Sequence, residues 1–509
     1  MDGRPLTRRR LLGYAGLGAA ALTFGRAGSQ PAATKAAESG SQSYDDGTDR
    51  IPGGLKGDPG RVIVIGAGFA GLAAANALRN AGVSTVVLEA RSRAGGRIDT
   101  RRVGETAVDL GASWVHEPEG NPMSRLAAQA GVPLVPASPE LDALTVLLHD
   151  GRTGRVSDSE KLVAYLKALE FDEEFTALGQ ALGRSASIRD GAERFLDQQG
   201  LTGVERRQVG FLIQLYSELE GAKSWQHQPL AGRPGTIPLP VANHPEYTGN
   251  GLGDFPAGGY RRLVKALARG TDIRFRHRVT GIEVDEKGVR VETESGKKSR
   301  DFRGTHVLVT VPLGVLKQGD IVFAPGFGAG KLRAIRNLGF GNFEKVALTF
   351  DQPFWQVEGH THLLHIGRDD SSRFPMFIDL QRFTGKPTLV SLNAGGAARR
   401  LVGNGPEAAR RDAMALLRQV YGRSIPAPEA VAVTNWMTDP YARGSYSAVV
   451  MKTDGDERTH LAAPVRGRLL FAGEATNLDG RASTTDGAFS SGIREAKRLL
   501  RSRSVLIST

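Results

Sequence analysis

The stretch Arg61-Val-Ile-Val-Ile-Gly-Ala-Gly-Phe-Ala-Gly71 decides how this chain of 509 residues folds. An apolar run, a glycine-rich turn and a run of small apolar residues follow one another, which predicts a buried strand, a tight turn and a helix. A second apolar run then ends on Glu89. The strand–helix–strand order predicts a βαβ unit and a parallel sheet.

The turn carries three glycines with the spacing of a dinucleotide-binding fingerprint. Gly66 permits a tight turn, Gly68 lets the backbone approach a pyrophosphate, and Gly71 lets the helix pack closely on the strand. The helix start offers unpaired N–H groups and the positive end of a dipole. Glu89 is expected to hold ribose hydroxyls. The fingerprint alone does not distinguish NAD from FAD.

Composition excludes several other classes of chemistry. The chain holds 66 Lys+Arg against 54 Asp+Glu, a net charge of +12, and it contains no Cys. Disulfides, thiolate nucleophiles, Cys-ligated zinc, iron–sulfur clusters and thioether-linked cofactors are therefore excluded. The basic residues are scattered without an aromatic platform, so we expect no nucleic-acid partner. The 10 His are also scattered, and no metal site is predicted.

The N-terminus has the layout of a twin-arginine export signal. Thr7-Arg-Arg-Arg-Leu-Leu12 precedes a short stretch of small apolar residues, which is too short to span a bilayer as a stable helix. We predict a signal peptide over 1–28, a Ser-, Gly- and Pro-rich linker over 29–60, and no stable membrane span in the mature protein. The expected route is the twin-arginine translocation machinery, to the periplasm or the extracellular space. A disordered basic N-terminus is the alternative.

The rest of the chain mixes helical and strand periodicity. Residues 120–220 are mostly helical, and residues 221–258 form a long Pro- and Gly-rich stretch of the kind that is often functional. We predict strands near 273–277, 279–285, 288–293, 306–311, 343–350, 387–393 and 469–472, and helices near 406–421 and 487–501.

A second glycine motif follows the predicted βαβ unit. In Arg91-Ser-Arg-Ala-Gly-Gly96-Arg97, a glycine pair would let the chain pass close to a cofactor, and guanidinium forks suit pyrophosphate oxygens. This motif resembles the second fingerprint of FAD-containing amine oxidases. The resemblance to the flavin amine oxidase family, in particular to polyamine and monoamine oxidases, extends from about residue 61 to 501. The other motifs that carry it are Val108 to His116, Gly258 to Tyr260, Phe343 to Val346, Gly444 to Ser447, Phe471 to Thr476 and Thr484 to Ala488.

The resemblance implies an α/β protein of two domains. One is a Rossmann-like FAD-binding domain, discontinuous in sequence, which we expect over 61–115, 250–340 and 465–501. The other is an α+β substrate-binding domain of the amine oxidase type, expected over 116–249 and 341–464. Because the chain lacks Cys, the FAD is expected to be bound non-covalently.

The resemblance also assigns roles to individual residues. Lys345 is similar to the lysine that holds a water beside flavin N5, and His116 is similar to a histidine on the substrate side; both are expected to be catalytic. Glu117, Trp436 and Tyr446 are candidates for substrate contact. The expected cofactor-binding residues are Gly66, Gly68, Gly71, Glu89, Arg91, Gly96, Arg97, Val279, Gly473, Glu474 and Thr485.

The implied reaction is oxidation of a primary or secondary amine, a polyamine or a monoamine, by hydride transfer to flavin N5. Its products are an imine or aldehyde and hydrogen peroxide, with molecular oxygen as acceptor. One departure affects the substrate: residues 477–483 lack the tyrosine that the family often places there. An L-amino-acid oxidase using Arg233 or Arg382 as a clamp, a low-turnover flavin-binding scaffold and a dehydrogenase remain alternatives.

Overall fold

The computed structural model describes residues 60–136, 146–156, 173–230, 253–355, 362–368, 373–451 and 453–507. The predicted export signal, nearly all of the predicted linker, Arg233 and the middle of the 221–258 stretch lie outside the described residues. The helices of the described part are α1 (Phe69–Asn80), α2 (Pro122–Gln129), α3 (Glu173–Leu182), α4 (Ile188–Gln198), α5 (Gly203–Gly221), α6 (Arg261–Ala268), α7 (Leu313–Gln318), α8 (Ala329–Asn337), α9 (Gln381–Thr384), α10 (Gly395–Gly403), α11 (Gly405–Tyr421), α12 (Glu457–Ala462) and α13 (Thr485–Ile507), with 3-10 turns at Trp225–His227 and Glu474–Thr476.

The strands are short, as expected for a chain that divides its core between several sheets. They are β1 (Arg61–Ile65), β2 (Ser84–Glu89), β3 (Thr100–Val103), β4 (Thr106–Asp109), β5 (Leu134–Val135), β6 (Val146–Asp150), β7 (Gly154–Arg155), β8 (Phe255–Pro256), β9 (Ile273–Phe275), β10 (Arg278–Val284), β11 (Val289–Ser295), β12 (Lys298–Gly304), β13 (His306–Val309), β14 (Val322–Ala324), β15 (Gly339–Phe340), β16 (Phe343–Thr349), β17 (His362–Ile366), β18 (Met376–Asp379), β19 (Thr388–Ala394), β20 (Ala430–Val433), β21 (Ser447–Ala448) and β22 (Leu469–Phe471).

Five strands form a parallel sheet in the order β22-β13-β1-β2-β9. Its strands come from three distant stretches of the chain, which makes this Rossmann-like domain discontinuous in sequence. The apolar run of β1 is buried on both faces, as a central parallel strand requires. One face is covered by α1 and α13, which approach so closely that a Cβ on Gly492 would lie 2.1 Å from the Ala70 carbonyl oxygen. The other face packs on the sheet of β10 to β12 and β14.

The second large sheet is mixed. Its order is β20-β16-β19-β18-β17-β6-β7, with β17 and β6 parallel and the remaining pairs antiparallel. Its central strand β19 is buried along its whole length. A helical layer that includes α4 and α5 packs near β6 and β17, and α11 packs near β16 and β20. Together the two sheets give the expected α/β fold, a Rossmann-like domain joined to an α+β domain.

The hairpin of β3 and β4 packs on the mixed sheet. Val103, Val108 and Leu110 pack against residues of β16, β18 and β19 in one apolar cluster. The hairpin was not predicted, because its strands are four residues long and neither Thr-Arg-Arg-Val nor Thr-Ala-Val-Asp alternates polar and apolar residues. It brings the end of β4 under β16, where Lys345 lies.

The helices and strands predicted by position from residue 273 onward are confirmed, whereas the stretch 120–220, predicted to be mostly helical, also contains the strands β5, β6 and β7. The helix predicted near 406–421 is α11, and the terminal helix predicted near 487–501 is α13, which begins at Thr485. The strands predicted at 273–277, 279–285, 288–293 and 306–311 match β9, β10, β11 and β13 within about two residues.

Candidate active site

The glycine turn between β1 and α1 has the geometry of a phosphate-binding loop. Gly66 has φ 104° and donates its N–H to the Leu88 carbonyl at 2.8 Å. A Cβ on Gly71 would lie 2.0 Å from the Gly66 carbonyl oxygen, so only glycine fits there. Gly68 is different: it has an ordinary φ of −79°, and a Cβ there would meet nothing within 4 Å. The chain therefore leaves open space at the start of α1.

The start of α1 is suited to an anion. Its first turn contains no acidic residue, and no side chain caps its N–H groups. Gly96 from the second glycine motif lies against Gly68, with its Cβ position 3.6 Å from the Gly68 Cα. The two glycine motifs that the sequence places apart therefore meet at one point.

Glu89 is held at the edge of this turn. Its buried carboxylate accepts the N–H groups of Ala67 and Arg91, each at 2.8 Å. Its carbonyl oxygen accepts the N–H of His277 at 2.9 Å, which brings the start of β10, and with it Val279, next to the turn. Glu89, expected to hold ribose hydroxyls, and Val279, also expected to bind the cofactor, therefore lie close together.

The two predicted arginines bind other parts of the protein. Arg91 makes a bidentate pair with Asp439, at 2.8 and 2.6 Å, and stacks over Tyr441. Arg97 donates to the Ser445 carbonyl at 2.7 Å and to Glu474 at 2.8 Å. Both guanidinium groups thus fasten the glycine motif to the stretch 439–447.

Glu474 is the centre of a buried polar network. Its carboxylate accepts hydrogen bonds from Arg97, from Ser447 Oγ at 2.6 Å and from the N–H of Ser483 at 3.1 Å. Burial raises the pKa of Glu474, but Arg97, Ser447 and Arg458 outweigh it, so the pKa falls below its ordinary value. The preceding Gly473 has φ 126° and faces open space.

These features fit a dinucleotide cofactor. Gly68 has neither a contact nor an unusual backbone angle that would explain its missing side chain, and the open helix start offers N–H donors to a pyrophosphate. A pocket at the carboxyl ends of β13 and β22 adjoins them. It is lined by residues that include Arg97, Val309, Pro312, Gly473, Glu474 and Thr476.

Lys345 projects from β16 toward the end of β4. Its Nζ donates to the carbonyl oxygens of Asp109 at 3.2 Å and Gly111 at 2.7 Å, and to the Ser113 hydroxyl. Burial lowers the pKa of Lys345 to about 8. Burial also raises the pKa of Asp109 to about 6, against the hydrogen bonds from Thr100 and from the N–H of Tyr260. The site thus holds a buried lysine that titrates closer to neutrality than a solvated one.

His116 lies near Lys345 and faces the start of α13. Trp114 Nε1 donates to His116 Nε2 at 3.0 Å, and the indole ring centroid is 5.3 Å from Lys345 Nζ. Burial lowers the pKa of His116; Asp486 raises it and Arg481 lowers it. The structure therefore brings together both predicted catalytic side chains through Trp114.

The segment before α13 carries a buried ion pair. Arg481 Nη1 and Asp486 Oδ2 are 2.9 Å apart, with side chains 8% and 3% exposed. Asn477 accepts the N–H of Arg481 at 2.8 Å, and Thr485 shares a 2.7 Å hydrogen bond with the Tyr260 hydroxyl. Charge therefore occupies the segment in which the family often has an aromatic residue.

The predicted substrate-contact residues have local partners. Trp436 is buried and donates its indole N–H to the Leu110 carbonyl at 3.1 Å. The Tyr446 hydroxyl donates to the Leu219 carbonyl. Glu117 adopts a positive φ of 43°. Their contact with substrate stays a prediction.

Sequence reasoning did not find the residues that hold the two catalytic candidates. Asp109, Ser113 and Trp114 lie within the motif Val108 to His116, and Arg481 lies within residues 477–483, but the sequence assigns none of them a role. The polar residues that follow the apolar Val108 were the available signal, because a polar residue at the buried end of a strand needs a partner.

Comparisons with known proteins identify the family. The profile described as flavin containing amine oxidoreductase matches residues 69–500. Lysine-specific histone demethylase 1 homolog 2 of Oryza sativa subsp. japonica is 35% identical over 449 residues, covering 86% of this chain and 57% of that protein. Protein FLOWERING LOCUS D of Arabidopsis thaliana is 34% identical over 454 residues, covering 87% and 55%. The chain spans little more than half the length of these relatives.

Solved structures agree on the fold. Wild-type putrescine oxidase bound to putrescine superposes with a TM-score of 0.69 at 19% identity, covering 87% of this chain and 99% of that one. No helix in the described ranges has both the length and the apolar character to cross a membrane. The chain belongs to the flavin-containing amine oxidoreductase family, and its cofactor is FAD.

Proposed function

We propose that this protein oxidises a primary or secondary amine, a small polyamine or monoamine, to an imine that water hydrolyses to an aldehyde, with molecular oxygen reduced to hydrogen peroxide. The observation that carries the proposal is Lys345, a buried lysine of β16 that donates to the carbonyls of Asp109 and Gly111 and lies against Trp114, whose indole donates to His116. When bound, FAD supplies the two-electron oxidation of the amine carbon and passes the electrons to oxygen.

The side chains of the site have complementary tasks in this reaction. Lys345, with a pKa of about 8, gives up a proton near neutral pH, and its amine lone pair can then accept a hydrogen bond from a water. The hydroxyl of Ser113 and the carbonyl of Gly111 fix its position. His116, kept neutral by burial, lies on the substrate side. Orientation and exclusion of water are the contributions of the protein.

The proposed substrate class draws on chemistry and on the relatives. The name of the Oryza sativa relative refers to lysine, and the solved neighbour is described as bound to putrescine; both compounds carry a primary amine on an alkyl chain. Glu117, the neighbour of His116 in the sequence, supplies a carboxylate, which suits a substrate that arrives as a cation.

A peroxide-coupled screen of diamines, polyamines, monoamines and L-amino acids tests the proposal. Amines are expected to give peroxide, with oxygen consumed in equal amount. The Lys345→Met variant is expected to lose most of the turnover, roughly 10²- to 10⁴-fold, as for a group that assists proton transfer. The limb of the pH profile near pH 8 should disappear with it.

Lys317→Met is the matched control for that variant. Lys317 also donates to two backbone carbonyls, those of Ile335 at 2.6 Å and Arg336 at 2.9 Å, and burial lowers its pKa to about 8, but its partners belong to α8 and not to the segment after β4. Its replacement should leave turnover nearly intact. Equal losses in both variants would contradict the role of Lys345.

The other readings of the sequence give distinct results in the same screen. Turnover of L-amino acids alone would favour an L-amino-acid oxidase; Arg382, one of its candidate clamps, is exposed. Reduction of an electron-accepting dye without peroxide would indicate a dehydrogenase. Silence on every substrate, with FAD bound, would leave a scaffold and overturn the proposal.

We also propose export through the twin-arginine route, on the strength of Thr7-Arg-Arg-Arg-Leu-Leu12. The test is expression of the full chain in a bacterium, with cell fractionation. Replacement of Arg8 and Arg9 by Lys should keep the protein inside the cell, and a strain lacking the translocase should do the same. Export that is unaffected by both changes would contradict the proposal.

A further inference from the structure

Trp114 contacts both catalytic candidates with different parts of its side chain. The indole N–H donates to His116 Nε2 at 3.0 Å, while the ring lies 5.3 Å from Lys345 Nζ. Phe255 packs against the same indole at 5.7 Å between ring centroids. The orientation of Trp114 is therefore fixed from a third side.

The hydrogen bond to Trp114 determines where His116 carries its proton. An indole nitrogen is a donor and has no acceptor capacity, so the imidazole nitrogen that faces it must offer a lone pair. A proton on Nε2 would set two N–H groups against each other at 3.0 Å. The neutral ring therefore carries its single proton on Nδ1.

Other groups around His116 allow this neutral form. Burial lowers the pKa of His116, and the opposite charges of Arg481 and Asp486 act on it in opposite directions. Those two charges are paired with each other at 2.9 Å. Asn121 donates to the His116 carbonyl at 2.7 Å and fixes its backbone. Neither the ion pair nor the backbone contact competes for the imidazole nitrogens.

We propose that Trp114 is a positioning residue that holds His116 as the neutral tautomer protonated on Nδ1. His116 then meets the substrate as a hydrogen-bond donor through Nδ1 and has no free lone pair with which to act as a general base. It recognises an acceptor on the substrate, and proton removal from the amine falls to other groups, Lys345 or solvent. This part rests on the proposed function; the tautomer itself does not.

The test uses ¹⁵N-histidine-labelled full-length protein with FAD bound, compared by NMR with the His116→Gln variant to identify the His116 signals. The wild type is expected to show a protonated Nδ1 and an unprotonated Nε2 across neutral pH. In Trp114→Phe, which keeps an aromatic face toward Lys345 but lacks the N–H, the two tautomers should mix, and the pKa of His116 should rise toward its ordinary value. We expect kcat/KM to fall roughly three- to tenfold, the value of one hydrogen bond.

Trp355→Phe is the matched control. Trp355 is a buried indole, whereas Trp114 is half-buried, and Trp355 belongs to the core between β16 and α11. It should reproduce the packing cost without changing the His116 signals. A wild-type His116 protonated on Nε2, or one unchanged in Trp114→Phe, would overturn the proposal. If Trp114→Phe does not fold, the wild-type tautomer alone decides.

The two proposals fail separately. A wild type that carries the Nδ1 proton but oxidises no amine would refute the proposed function and leave the role of Trp114 standing. A wild type that oxidises amines with His116 protonated on Nε2 would do the reverse.

Discussion

The two large sheets treat polar side chains in opposite ways. In the parallel sheet, β1 and β13 are buried and almost wholly apolar, and the polar groups lie in turns at the carboxyl ends of the strands. In the mixed sheet, polar residues are buried inside the strands themselves: Glu344 and Lys345 in β16, and Ser391 and Asn393 in β19. The parallel sheet thus has its polar groups at the carboxyl edge, and the mixed sheet has polar side chains in its interior.

The two arrangements are stabilised by different interactions. A parallel sheet with apolar strands is stabilised by burial, and its turns need only local backbone geometry. A sheet with buried polar residues must satisfy each of them by contacts with other elements. Mutations should therefore lower the free energy of unfolding most in the turns of the parallel sheet and in the interior of the mixed sheet.

The largest effect is expected below the edge of the parallel sheet. Arg494 is fully buried; it donates to the carbonyls of Thr476 at 2.7 Å and Phe471 at 3.0 Å and pairs with Glu495 at 2.7 Å. Arg494→Leu leaves these acceptors without their donor and should cost about 3–5 kcal/mol of unfolding free energy. Urea unfolding of the holoenzyme measures it.

Arg290→Leu is the control for that variant. Arg290 pairs with Glu283, Glu292 and Asp301, but its network is exposed. Exposed ion pairs contribute little to stability, so the urea midpoint should hardly move. Similar shifts in both variants would mean that the edge of the parallel sheet has no special dependence on buried charge.

The second effect concerns acid and the interior of the mixed sheet. His149 and His365 lie opposite each other on β6 and β17, with their Nδ1 atoms 3.1 Å apart and their rings stacked. Burial lowers the pKa of His365 from 6.5 to about 4. The neighbouring charges are Asp150 and Arg207, which pair with each other.

Because the folded pKa of His365 lies below the unfolded one, the unfolded chain binds a proton first as the pH falls. Stability is therefore present above pH 6.5 and is lost between pH 6.5 and about 4, by about 3 kcal/mol for the full shift. Changing His149 and His365 together to Phe should flatten this loss in urea unfolding across pH. The exposed His277→Gln should not, and an unaltered slope in the double variant would refute the assignment.

The smallest effect on stability is expected at Gly68. Its backbone is compatible with alanine and its Cβ position is open, so Gly68→Ala should raise the stability of the apoprotein by about 0.4–1 kcal/mol. The same methyl group would stand in the cofactor cradle, so FAD affinity should fall. Gly403→Ala, also in open space, should leave FAD affinity unchanged. Equal FAD affinity in both variants would mean that the cofactor does not approach Gly68.

The same contrast explains what the sequence could predict. The glycine turn, Glu89 and the strands around them follow from local pattern, since each has its physical reason within a few residues. The length of β10, β11 and α11 follows from periodicity in the same way. Lys345 was found only through resemblance to a family, because nothing in its own strand shows that it is buried.

The partners that hold Lys345 could not be predicted from the sequence. Its partners Asp109 and Gly111 lie 236 and 234 residues away, and no local pattern encodes a pairing at that distance. The role of Trp114 could not be predicted for a related reason. Its indole donates to a residue only two positions away, but its proposed role also depends on its contact with Lys345 in β16, far along the chain.

The distance between Arg97 and Glu474 has a consequence for synthesis. They are 377 residues apart and joined by a 2.8 Å ion pair beside the cofactor cradle. At typical rates of about 5–20 residues per second, the ribosome needs roughly 20–75 s to make the stretch between them. The first βαβ unit is therefore synthesised long before Glu474, and the cofactor site stays incomplete until nearly the whole chain has emerged. FAD can be captured only at the end of translation, and a chain stopped before Glu474 has no complete place for it.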